Sequence, residues 1–138
     1  MNSRSQCAEG EGAAPEKRPR EILARSFSYA LRAIKLYRYL QRRKDGAGWI
    51  LGKQYLRAAT SIGANIEEAQ AGESRSDFIH KLGIAQKEAK ECRYWLHLLA
   101  ESGTVQKEKL QPPRRETEEL IGIITAIIVS TKKHVRES

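Results

Sequence analysis

The residues of this chain best equipped to bind a metal or attack a substrate are three histidines and two cysteines, and their spacing argues against either role. A helical bundle can hold a di-iron centre built from inward carboxylates and two Glu-x-x-His pairs. The only comparable spacing is Asp77-x-x-His80; His97 and His134 have no acidic residue three positions before them. The histidines therefore read as surface or boundary residues, and no metal is expected. Cys92 falls on an apolar helical stripe without an obvious cation to favour its thiolate, so packing is its expected role. Cys7 lies near the N-terminus, the two cysteines form no CxxC, and free thiols in a reducing cytoplasm are expected. No P-loop and no glycine-rich dinucleotide fingerprint occurs, so neither a cofactor nor catalysis is expected.

Charge is more informative. Lys and Arg number 25 against 17 Asp and Glu, a formal net charge of +8. Such a balance fits a polyanionic partner, and equally a solubility coat. The distribution is uneven. On a wheel at about 100° per residue, Arg25, Arg32, Lys35, Arg38, Arg42 and Arg43 share an arc with Tyr39, and no acidic residue falls between Ala24 and Lys44. Cations with an interleaved aromatic are what phosphate contacts and base stacking use. The competing reading is pairing of some arginines with Glu67, Glu68 or Glu91 on neighbouring helices.

The elements that carry these residues are helical, with apolar spacing of three and four and no strand alternation. At 138 residues the chain is expected to form one domain, needing no staple. Residues 1–20 are too poor in apolar side chains to offset ordering, which predicts a disordered tail before a bundle over 21–138. They also contain no apolar stretch of the signal-peptide kind. The first helix is predicted over Glu21 to Lys44, with Leu23, Phe27, Ala30, Ile34 and Tyr37 as its core stripe and Asp45-Gly46-Ala47-Gly48 as its stop. The second is predicted over Trp49 to Ala71, with Gly63 marking a bend or a close helix contact. The third, capped by Ser74 and Ser76, carries the most regular repeat: Phe78, Leu82, Ala85, Ala89, Cys92, Leu96, Leu99. The fourth is predicted from Pro113 to about Arg136, after a short turn over Thr104 to Leu110. Its apolar run, Leu120 to Val129, is far shorter than the roughly 20 residues that span a bilayer, so no membrane role is expected. Four amphipathic helices on short links predict an all-α, antiparallel up-down-up-down four-helix bundle.

One buried face per helix is enough for such a bundle. The first helix has a second apolar strip, Tyr29, Ala33, Leu36 and Leu40, and the fourth has a wide arc that includes Ile123. That surplus predicts a subunit interface; a thick core absorbing it is the alternative.

From Gln54 onward the chain resembles a known family. Tyr55-Leu56-Arg57-Ala58-Ala59-Thr60-Ser61-Ile62-Gly63-Ala64-Asn65-Ile66-Glu67-Glu68-Ala69 is similar to its second-helix signature. Ser74-Arg75-Ser76-Asp77-Phe78, Ile84-Ala85-Gln86-Lys87-Glu88-Ala89-Lys90-Glu91 and Tyr94-Trp95-Leu96 are similar to its third. The family comprises four-helix bundle proteins encoded in intervening sequences of bacterial large-subunit rRNA genes, and includes the accessory variability determinant of diversity-generating retroelements. The likeness spans roughly residues 22–137. Two features depart from it: Gly63 stands where many members have proline, and Pro112-Pro113 falls within a segment that is often one continuous helix. The resemblance implies a homopentamer and, in the retroelement branch, binding to structured RNA and to a reverse transcriptase. Two functions stay open: an RNA-binding oligomer, with RNA favoured over DNA, and a protein-interaction adaptor whose charge is incidental.

Overall fold

The structure, a computed structural model, describes residues 17–137. They form four helices, α1 (Lys17–Arg42), α2 (Gly46–Gln70), α3 (Arg75–Glu101) and α4 (Lys107–Glu137), with no strand among the described residues. Each helix packs along two others, α1 on α2 and α4, α3 on α2 and α4, and the backbones of the diagonal pairs stay farther apart. The cross-contacts run in opposite senses along every seam. Ser26 faces Gly63 while Leu40 faces Gly52. Arg57 pairs with Glu88 and Glu91 while Lys81 pairs with Glu68. Gln86 meets Thr125 while Arg93 meets Glu118, and Arg25 meets Glu119 while Arg32 meets Glu116. This is the antiparallel up-down-up-down bundle expected from the sequence. The expected tail boundary lies mostly outside the described residues, but residues 17–20 already belong to α1.

Helix ends follow local chemistry. Ser74 caps α3, its hydroxyl accepting from the Asp77 N–H at 3.1 Å, and Gly103 at φ +74° ends the turn beyond that helix. The α1–α2 link departs from expectation. Lys44, not a glycine, takes the left-handed conformation at φ 55°. Asp45 caps α2, its carboxylate accepting from the Ala47 and Gly48 N–H groups. The glycines then serve the helix seam: a Cβ on Gly52 would lie 2.8 Å from Leu40 Cδ1, and one on Gly48 2.9 Å from Thr104 Cγ2. Leu40 thus seats against Gly48 and Gly52, two positions one turn apart on α2 that carry no side chain. Gly63 is likewise a close contact, against Ser26.

The α3 stripe is buried as expected from Leu82 to Leu99, with Phe78 only partly covered. The expected α1 stripe is only partly covered, with Leu23, Ala30, Ile34 and Tyr37 half-buried, and it is not the core face. Phe27 is 65% exposed, whereas Tyr29, Ala33 and Leu40, read from sequence as the spare strip, are each 1% exposed and form the α1 share of the core with Ile22 and Ser26. In α4 the helix starts six residues earlier than expected and runs through Pro112-Pro113. The prolines are the sixth and seventh residues of the helix, past its first turn, so each removes an i→i−4 backbone bond that the helix goes without.

Leu82→Asp places an unpaired charge at a site with 0% exposure, at a cost of several kcal/mol. The expected result is loss of the cooperative thermal transition; a melt like the parent's would remove Leu82 from the core.

Candidate nucleic-acid interface

With the core face of α1 turned inward, its outward face reads Ala24, Phe27, Leu31, Ile34, then Lys35, Arg38, Arg42. The stripe is apolar over its first half and cationic over its second. Phe27 and Leu31 are exposed, Leu31 by 48%. Lys35, Arg38 and Arg42 are exposed and make no hydrogen bond or ion pair with the described residues.

The flank of α1 that meets α4 is different. Arg25 pairs with Glu119 and Arg32 with Glu116, so the arginines neutralised by neighbours find them on α4, not at Glu67, Glu68 or Glu91. Between those pairs Tyr29 and Thr117 join by hydroxyl contact at 2.6 Å. Thr117 gives its one proton to the Pro113 carbonyl at 2.6 Å, so the tyrosine hydroxyl is the donor. The Tyr29 ring meets Tyr55 edge-on at 6.2 Å.

Near the C-terminal end of α1, Arg43 Nη1 donates to the Thr104 carbonyl at 2.7 Å, and its guanidinium lies 5.5 Å from the Tyr39 ring centroid. Lys109 Nζ approaches the same ring at 5.2 Å. Arg32, Lys35, Leu36, Tyr39, Lys109, Pro112 and Pro113 line a groove of about 320 Å³ together with Tyr55. Lys109 was not legible as part of this surface, because it precedes Pro112 in a stretch that reads as a separate turn. Of the residues expected at a subunit interface, Tyr29, Ala33 and Leu40 lie inside the protomer's own core and offer no surface to another copy. Leu36 is partly buried at the basic groove, and Ile123 lines a second groove with Ala24, Ala126 and Ile127. The surplus apolar surface of α1 is Phe27 and Leu31 instead, and the signal missed was the polar row on α4 that fixes which side turns inward.

Residues 18–126 match the family described as 23S rRNA-intervening sequence protein. The chain belongs to that family. A crystal structure of a protein of unknown function from the S23 ribosomal protein family of Bacteroides thetaiotaomicron is similar, at 36% identity and a TM-score of 0.74, covering 80% of this chain and 97% of that one. No curated protein matches the chain. The family takes its description from the rRNA intervening sequence and not from a reaction.

In this family member, no group of three His, Cys, Asp or Glu among the described residues is placed to hold a metal ion. No helix among them is long and apolar enough to cross a membrane. Cys92 is wholly buried, and burial pushes its thiol up from an ordinary 9.0 to about 12. Burial also raises Tyr29 and Tyr55. For a thiol with a raised folded pKa, the stability it contributes is complete below the unfolded value and is lost as pH climbs from there through the folded value. In a Cys7→Ser background, Cys92 at pH 8 is therefore expected to react with a thiol reagent only at the rate at which the bundle opens. Stability should begin to fall above pH 9. Labelling as fast as a free thiol would contradict the burial.

Proposed function

We propose that this family member is a non-catalytic homo-oligomer, cytoplasmic, that binds structured RNA through the cationic half of the outward α1 stripe. The observation that carries the reading is the division of that stripe: Lys35, Arg38 and Arg42 stand unpaired directly after an exposed apolar run. The apolar half supplies the surface for other copies. A pentamer is favoured by the family resemblance, and a ring would repeat the cationic segment at each protomer. A reverse transcriptase is the protein partner to test if the gene lies in a retroelement.

Each phosphate contact on unpaired RNA contributes a logarithmic salt slope of about −0.7. Replacing Lys35, Arg38 and Arg42 by glutamine should weaken binding to a structured RNA and flatten the slope by about 2, with helicity unchanged. Arg32, already held by Glu116, should matter less. Equal binding by parent and triple variant at every salt concentration would leave the charge as a solubility face and favour the adaptor reading.

Light scattering tests the assembly. The parent is expected to have a multiple of the protomer mass, and Phe27→Glu with Leu31→Glu should reduce it without unfolding the bundle. A parent that stays monomeric across a wide concentration range would refute the oligomer; a dimer would refute the ring.

A further inference from the structure

Two of the helix seams cross positive with negative charge. Arg57 meets Glu88 and Glu91 and Lys81 meets Glu68 between α2 and α3; Arg25 meets Glu119 and Arg32 meets Glu116 between α1 and α4. The α3–α4 seam breaks this pattern. A groove of about 680 Å³ there is lined by Lys90, Arg93, Tyr94 and His97 from α3 and by Arg114, Arg115 and Glu118 from α4, four permanent cations against one carboxylate. That carboxylate reaches Arg93 at 3.3 Å, with both side chains at least half exposed, so the pair is weak. Lys90 and Arg115 make no hydrogen bond or ion pair with the described residues. Arg114 donates to His97 Nδ1 at 3.3 Å, which leaves the Nε2–H of that ring to donate elsewhere.

Like charges gathered from two helices repel, and the single carboxylate of the groove does not balance them. A polyanion lying along the groove would relieve that repulsion. Tyr94 adds a second kind of contact. It is 55% exposed in the middle of the cations, held edge-on to Trp95 at 5.1 Å. A stacking ring flanked by phosphate-binding groups suits a nucleic acid whose bases are unpaired and turned outward; a duplex keeps its bases stacked on one another. Trp95 in turn is fixed by donating to Glu91 at 3.0 Å, which orients the pair of rings.

We infer that the α3–α4 groove is a second RNA contact, specific for a single-stranded or looped segment, with Tyr94 stacking on a base and Lys90, Arg93, Arg114 and Arg115 holding the adjacent phosphates. The inference rests on the RNA-binding reading and deepens it. α3 lies diagonally across the bundle from α1, so copies that pack through the outward face of α1 leave this groove open. Only the N-terminal half of α4 separates it from the groove at Tyr39 and Lys109, and one looped RNA can span both.

The test uses the full chain, an RNA hairpin with an unpaired loop, and the blunt duplex of the same stem. Tyr94→Ala should weaken hairpin binding by roughly 5- to 150-fold, the range for one stacked base, with the salt slope and duplex binding unchanged. Tyr94→Phe should retain parent affinity. Lys90→Gln with Arg115→Gln should flatten the hairpin slope by about 1.4. All these positions are exposed, so the variants are expected to melt like the parent. If the parent binds the hairpin but Tyr94→Ala and the glutamine pair bind it equally well, the groove is not a contact and the α1 reading stands alone. If Tyr94→Ala is silent while the glutamine pair weakens hairpin and duplex alike, the groove is a general anion surface and its preference for unpaired RNA is refuted. If the parent binds neither RNA at any salt concentration, the RNA-binding function fails and this inference fails with it.

Discussion

The bond from the Tyr29 hydroxyl to Thr117 decides which way α1 faces. α1 has apolar residues on both sides, so burial of apolar area alone does not choose its rotation. A buried tyrosine hydroxyl without a partner costs about 1–3 kcal/mol. Thr117 removes that cost, its own proton being directed to the Pro113 carbonyl. Arg25 with Glu119 and Arg32 with Glu116 continue the same row on either side. Fixing that row turns Ala33 and Leu40 inward, and Leu40 fits only because Gly48 and Gly52 leave room for it. The exposure of Phe27, Leu31, Lys35, Arg38 and Arg42 follows. The argument from the α1 surface depends on that one rotation.

What was legible in the sequence depended on how one-sided each helix is. α3 has one apolar stripe with small residues at its middle, so its core face and its serine cap could be read directly. The number of helices and their antiparallel order followed from four periodic segments on short links. α1 was misread because a helix with two apolar sides carries no internal sign of which is buried; the information lies on α4, some ninety positions away, in Thr117, Glu116 and Glu119. The α1–α2 link was misread for a related reason. Gly46 and Gly48 resemble a helix stop, but Lys44 makes the turn while Gly48 serves packing against Leu40 and Thr104.

The candidate site divides along the same line. The cationic arc was legible because no acidic residue interrupts it, and Lys35, Arg38 and Arg42 remain available. Neutralisation of Arg25 and Arg32 was not legible, since their partners are on a helix that sequence distance does not connect to them. The α3–α4 groove was harder still: Lys90, Arg93 and Tyr94 lie on one helix and Arg114 and Arg115 on another, and neither set stands out in a chain with 25 basic residues. Charge becomes informative only once the seams are known, because two seams pair their charges and this one sets four cations against a single carboxylate.

The rotation of α1 is tested most directly by a double-mutant cycle on Tyr29→Phe and Thr117→Val, read as unfolding free energy. Both side chains lie within one protomer, and the four variants are compared at one protomer concentration so that assembly contributes equally to each. The cycle subtracts the separate loss of the Thr117 bond to Pro113. The contact seen here predicts a coupling of about 1 kcal/mol, the usual net value of a buried hydrogen bond. Strictly additive effects would mean that the two hydroxyls do not meet, and that α1 turns a different face to the core.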